Sequence, residues 1–201
     1  MEHKGDKGHD NKSCPPLDHS KSLNDFKAMG IPILAPYLGD SRKSMNMGGF
    51  TVKPFDLTTI DGNWTHTNAN GEPCPIYGFL ITHKEMGRML YITDCELIKW
   101  KFKDINHILL GVNYDKDLVY NDNPKANHVF RGHLSIDTAC DFVKANDSDS
   151  LQNVIMCHLS SENADKDSFI AKMKNVVNGA NVDVAVAGKS WDLKNPSECP
   201  F

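Results

Sequence analysis

No apolar run in this chain approaches the roughly 20 residues of a membrane-spanning helix, and no secretory signal precedes its polar start. A membrane partner is therefore not expected. Basic charge is not in surplus either. Lys and Arg number 22 against 26 Asp and Glu, a formal net charge of −4. That argues against a strongly basic nucleic-acid surface, though not against a nuclease whose metal ions meet the phosphate. The six cysteines, at 14, 74, 95, 140, 157 and 199, contain no C-x-x-C pair. Cys95, Cys140 and Cys157 lie within apolar patterns and read as reduced core thiols, so a cytoplasmic setting is expected. Nothing repeats internally. What is present is an ordinary globular composition, 40% hydrophobic with glycine set apart, enough for one domain with a sizeable core.

Residues 1–17 are polar, rich in Lys, Asp and Gly, and end in Cys14-Pro15-Pro16. They read as a flexible N-terminal segment. The domain is expected over 18–193, with a tail at 194–201. Leu23, Phe26 and Met29 fall at helical spacing before Gly30, and 31–35 reads as a short strand. Residues 38–49 read as a Gly/Ser/Met-rich loop or short helix, and 50–57 as a strand weakened by Pro54. An Asn/Gly-rich loop follows over 61–75. Residues 76–82 and 88–93 predict a hairpin across 83–87, and 105–112 a buried strand. Ser135 predicts an N-cap for a helix carrying Ile136, Ala139, Cys140 and Val143. Residues 154–157 read as a strand. Over 161–177, Ala164, Phe169, Ile170, Met173, Val176 and Val177 form the clearest helical stripe, with Met173 as core. Residues 182–187 read as the last strand. Strands outnumber helices, and the late strand-helix-strand units predict an α+β domain with helices covering sheet.

The chemistry concentrates where strands give way to loops. His158-Leu159-Ser160 ends the run 154–157, Asp94 ends the run 89–93, His66 follows a third, and Asp18-His19 opens a helix. A strand end holds a ligand rigidly and leaves one side open, as a two-metal hydrolase requires. Nine histidines would place some at strand ends by chance. An ordered Asp-His, His, Asp, His series is harder to obtain that way.

The order of these residues resembles the metallo-β-lactamase superfamily, and most of all its small phage and Gram-positive branch, relatives of DNA exonucleases and other phosphodiesterases. The segments that carry the likeness are Asp18-His19-Ser20-Lys21-Ser22-Leu23, Thr65-His66-Thr67-Asn68, Leu90-Tyr91-Ile92-Thr93-Asp94, and two H-L-S elements, Gly132-His133-Leu134-Ser135 and Cys157-His158-Leu159-Ser160. The resemblance implies an αββα sandwich. It implies that Asp18, His19 and His158 hold one metal, that His66 helps to hold a second, and that Asp94 bridges the two. His133 would approach the substrate phosphate or leaving group, or else serve only in a helix-capping loop. Asp18, Asp94 and His133 are thus the expected catalytic groups. His9, His83, His107 and His128 match no ligand and read as surface or turn residues.

The start departs from that pattern. Where the family has H-x-H two residues ahead of D-H, this chain has Cys14 and Pro16. Taking Met1-Glu2-His3-Lys4 as the first half of the motif makes His3 a ligand and puts Met1 in place of the first histidine. His3 as a disordered terminal residue, and Cys14 as a soft ligand, are the alternatives. On the first alignment the chain begins inside its own metal motif and lacks the family's first strands. Each large buried side chain so lost would forfeit about 1.5–3 kcal/mol against a total stability of about 5–15 kcal/mol. A partner, such as a second copy in a homo-oligomer, would then cover the open edge.

The implied function is a Zn2+-dependent hydrolase, with Mn2+ as a substitute and two ions if the site is intact, acting on phosphodiesters such as DNA or RNA through a metal-activated hydroxide. Two other readings stand beside it. One is an inactive remnant of the fold that serves as a binding or structural protein. The other is a nucleic-acid-binding module suggested by the alternation Lys99-Trp100-Lys101-Phe102-Lys103, which reads first as an edge strand or loop.

Overall fold

The computed structural model describes residues 44–59, 61–64, 66–67, 72–119, 130 and 132–194, with backbone alone at 66, 67 and 74. The elements expected over 18–35 lie outside the described residues. The frame is one seven-stranded mixed sheet. Its strands are β1 (Met45–Met47), β2 (Phe50–Asp56), β5 (Tyr77–His83), β6 (Gly87–Ile92), β7 (His107–Gly111), β8 (Asn153–Cys157) and β9 (Asn181–Val184), side by side in that order. β3 (His66–Thr67) and β4 (Pro73–Cys74) form a separate two-stranded ribbon. Pairing is antiparallel from β1 to β6 and parallel from β6 to β9.

The expectation of loop or helix over 38–49 is corrected at its end. Met47 pairs with Phe50 across Gly48 and Gly49, both at positive φ (55° and 84°). Two residues with left-handed backbone give the tight turn whose twist suits a β-hairpin, and this Gly-Gly signal makes β1 a strand. The β2 strand forms despite Pro54. β1 pairs with β2 only over residues 50–52, so at Pro54 the strand lies at a sheet edge, where a missing N–H is tolerated. The β5–β6 hairpin forms across the expected turn, with Phe79 opposite Tyr91 and His83 opposite Gly87. The Asn/Gly-rich stretch of 61–75, expected as loop, contains the β3–β4 ribbon.

Among the described residues, two α-helices cover one face. α1 (Ile136–Asn146) connects β7 to β8, and α2 (Lys166–Lys174) connects β8 to β9. Ser135 caps α1, its Oγ accepting from Thr138 N at 3.2 Å. The second helix begins five residues later than its apolar stripe suggests, because Asp165 is the cap, accepting from Ser168 N at 2.7 Å. The stripe still packs as expected, with Phe169 and Met173 fully buried. Register puts Leu90, Ile108, Val154 and Val182 in one row, and Ile92, Leu110, Met156 and Val184 in the next. Both rows meet Ile136, Ala139, Val143, Phe169 and Met173 in a single core. On the other face Phe79, Met89, Tyr91 and Leu109 are only half-buried. Asp115, 6% exposed, accepts from Lys172 Nζ at 2.7 Å and fastens α2 to the segment after β7. That bond chiefly, against the opposing cost of burial, holds its carboxyl below the usual range.

Of the histidines expected at the surface or in turns, His83 does sit at the β5–β6 turn, its ring stacked on Phe50 at 4.4 Å. His107 is a correction, being 1% exposed at the start of β7. Its Nε2 lies 3.0 Å from Met86 O and its Nδ1 3.0 Å from Asn153 Nδ2. A carbonyl only accepts, so Nε2 carries the proton and Nδ1 accepts from the Asn153 amide. Burial pushes the His107 pKa below its ordinary value, outweighing the Met86 bond. A neutral buried imidazole contributes its full stability above the unfolded value of about 6.5 and loses it as pH falls below that. The wild-type urea midpoint is therefore expected to drop between about pH 8 and about pH 5 more steeply than that of His107→Gln. Parallel midpoint-versus-pH curves for the two proteins would remove this role from His107.

Candidate metal centre

Parallel pairing of β6, β7 and β8 brings their C-terminal ends to one edge, and the candidate ligands stand just past those ends. Asp94 is two residues beyond β6, and His158 immediately follows β8. Both have left-handed backbones, φ 57° and 60°. Non-glycine residues in this region are uncommon, with Asp and His among the more tolerant, and such conformations gather at functional sites. The turned backbone directs each side chain away from the strand path instead of continuing the alternation.

His133 reaches the same point from the loop before α1. Asp94 Oδ1 lies 3.2 Å from His158 Nδ1 and 3.8 Å from His133 Nδ1. The two imidazoles meet edge to face, centroids 5.2 Å apart. One ligand atom from each of the three residues can be chosen so that all lie within 4.8 Å of one another. Donors about 2.0–2.1 Å from a tetrahedral zinc stand roughly 3.3–3.4 Å apart, so two imidazoles and a carboxylate at these separations fit a borderline divalent ion in chemistry and in spacing. Asp94 and His158 are 38% and 47% exposed in their side chains and His133 17%, so the cluster is open on one side.

The two H-L-S segments are built alike. In each the His enters the cluster, the Leu anchors in the core and the Ser caps the next turn of chain. Leu134 is 1% exposed, and Leu159 packs against the same core. Ser135 caps α1, while Ser160 Oγ accepts from Asn163 N at 3.2 Å and Glu162 N at 3.3 Å. Asn113, which no sequence motif marks, joins the two segments. Its N–H donates to Leu134 O (2.9 Å), its carbonyl accepts from Ser160 N (2.9 Å), and its side-chain amide donates to His158 O (2.9 Å). Gly111 permits the close approach beneath them, since a Cβ there would stand 3.1 Å from Thr93 Cα.

Two thiols adjoin the cluster without belonging to it. Burial first, and the Asp94 carboxylate second, push Cys95 up to about 12 and Cys157 up to about 11. Cys95, Cys140 and Cys157 are all free. Of the other expected ligands, His3, Asp18 and His19 lie outside the described residues, as does Cys14. His66 is placed by backbone only, opposite Cys74 in the ribbon. The structure thus brings together Asp94, His133 and His158. It groups His133, expected beside the substrate, with the two expected metal ligands.

Solved structures share this arrangement of strands and helices. A metallo-beta-lactamase fold protein, YhfI from Bacillus subtilis, matches 84% of this chain at 16% identity and TM-score 0.50. An isothiocyanate hydrolase from Delia radicum gut bacteria matches 87% at 9% identity and TM-score 0.52. This chain has the metallo-β-lactamase fold. It spans 61% and 65% of the lengths of those two chains. No protein-family model matches its sequence, and no curated protein does.

Asn113→Ala would release the His158 carbonyl and loosen one H-L-S segment from the other. Partners that orient ligands in this way are typically worth 10–100-fold in metal affinity. A loss of zinc affinity in that range is expected in chelator competition, with the circular dichroism spectrum unchanged. Wild-type affinity in the variant would mean that Asn113 does not position the site.

Proposed function

We propose that this chain is a metal-dependent hydrolase acting on phosphodiesters, of the phosphodiesterase or nuclease kind. The observation that carries the hydrolase reading is the convergence of Asp94, His133 and His158 at one open strand-end edge of a metallo-β-lactamase fold. The phosphodiester reading is supported by the two H-L-S segments lying side by side at that edge, since they are among the segments that carry the resemblance to the exonuclease-like branch. Divalent metal ions bound there would supply Lewis-acid activation of water near neutral pH.

Within this reading His158 would hold one metal together with Asp18 and His19, His66 would help to hold a second, and Asp94 would be shared between the two. His133, the least exposed of the three, faces the same opening. It would either complete the metal's donor set or donate a proton to the leaving oxygen, roles open to an imidazole near neutral pH. The segments after Asp94 and before His133 line a cleft of about 480 Å³ with Glu96, Leu97, Tyr114, Lys116, Phe130 and Thr138. That cleft is where the non-reacting part of a substrate would lie. Zn2+ suits this donor set, and Mn2+ is the natural substitute.

The test is metal content by elemental mass spectrometry, followed by turnover of bis(p-nitrophenyl) phosphate and, as the competing substrate, an isothiocyanate, the class named for one structural neighbour. Bound metal with phosphodiester turnover is expected, both abolished in His158→Ala. Turnover of the isothiocyanate alone would replace the substrate class. A folded chain that binds no metal would favour the non-catalytic reading, a metallo-β-lactamase fold kept for binding. Full activity and metal content in His158→Ala would overturn the site.

A further inference from the structure

A second concave surface lies far from the metal centre. It is a groove of about 670 Å³, walled by Lys53 and Phe55 of β2, Arg88 of β6, and Trp100, Lys101 and Lys103 of the crossover between β6 and β7. Arg88 is the second residue of the strand that Asp94 follows, six residues further on, so roughly 20 Å of extended chain separates the two places. The crossover, expected from sequence as edge strand or loop, is irregular chain over 97–102.

Its charge runs against that of the molecule. Four cations line the groove against two carboxylates, Asp56 and Asp104, in a chain whose net charge is −4. Among the described residues, the side chains of Lys53, Arg88, Lys101 and Lys103 have no carboxylate partner. Between these cations lies a fixed aromatic surface. Trp100 is 49% exposed, yet its indole N–H donates to Asp56 O at 2.8 Å. Phe102 N donates to Asn146 Oδ1 at 2.6 Å, and the Phe102 ring packs on Phe55 with centroids 4.9 Å apart. The loop is thus held at two points, and the indole is exposed in one orientation.

We propose that this groove binds single-stranded nucleic acid, with a base stacked on Trp100 and the flanking phosphates met by Lys53, Arg88, Lys101 and Lys103. Single strands supply what duplexes do not, an unstacked planar face beside closely spaced negative charges. An immobilised aromatic platform among uncommitted cations is complementary to both. A protein partner would use the aromatic surface but leave four cations uncompensated. A simple polyanion would use the cations and leave the indole idle. The inference goes beyond the proposed hydrolase activity and does not depend on it, since it concerns binding at a separate surface.

The experiment is fluorescence anisotropy of the full chain, in chelator so that no cleavage occurs, with labelled oligodeoxythymidylate and oligouridylate about a dozen nucleotides long. Both are expected to bind, with Trp fluorescence quenched and affinity falling as salt rises. Trp100→Ala should weaken binding by about 5- to 100-fold, Trp100→Phe should restore most of it, and Lys101→Glu with Lys103→Glu should abolish it. Trp100 is a surface residue, and circular dichroism of each variant is the check that it folds. Preference for one sugar would assign DNA or RNA as the natural source. Unchanged affinity in Trp100→Ala, or heparin binding as tightly as the oligonucleotides, would reduce the groove to a non-specific basic patch and overturn the proposal. So would an absence of oligonucleotide binding in the folded wild type.

Discussion

The parallel register of β6, β7 and β8 is the constraint on which everything else depends. Three strands running the same way must end at the same edge, and each must return through a crossover. The sheet therefore presents loops at one edge only by committing helices, and the core beneath them, to one face. Gly111 makes the alignment tight at the critical point, because any side chain there would press on the Thr93 backbone and spread the strand ends that carry Asp94 and His158. Burial of Leu110, Met156 and Val184 under α1 and α2 fixes the register from below. A one-residue slip would turn that entire row to the opposite face.

Rigidity at the strand ends and openness beyond them are separate properties, and the chain meets them with different residues. Leu134 and Leu159 anchor in the core, while Ser135 and Ser160 satisfy the backbone groups of the turns after them. The histidine of each segment is left to face the opening. Asn113 adds the lateral bond. It lies just past the end of β7, between the strands that carry the two end residues, and shares its backbone and side-chain groups with both H-L-S segments. An amide side chain suits that position because it donates to a carbonyl without bringing a charge beside Asp94.

The part of this legible in the sequence is the part governed by short-range rules. The β5–β6 hairpin, the cap at Ser135, the strands at 107–111 and 153–157, and the apolar stripe that carries Phe169 and Met173 all derive from periodicity and turn chemistry. Asp94, His133 and His158 are legible because each adjoins an apolar run or a helix cap that local pattern marks. The misses have physical reasons. Gly48-Gly49 reads as loop composition, although its meaning is conformational, a pair of left-handed residues joining β1 to β2. His107 reads as a surface residue only while its polarity is weighed without its partners, and those partners, Met86 of the β5–β6 turn and Asn153 at the start of β8, are distant from it in sequence. Asn113 carries no local pattern, since its three bonds all reach residues distant in sequence. The groove around Trp100 is visible in the sequence only as alternation. Its concavity comes from β2, β5 and β6, which no inspection of 99–103 could supply.

The Asp94, His133 and His158 side chains come from three well-separated points of the chain and meet only after β7 has paired with β6 on one side and β8 on the other. Such non-local pairings form late, because loop closure must precede any reward. No hairpin, fragment or partly collapsed intermediate can assemble the cluster. An ion that prefers the assembled cluster over scattered imidazoles would therefore bind the native state alone, and its binding free energy would add directly to the stability of the fold. For this chain, chemistry and completed folding would be one event observed in two ways.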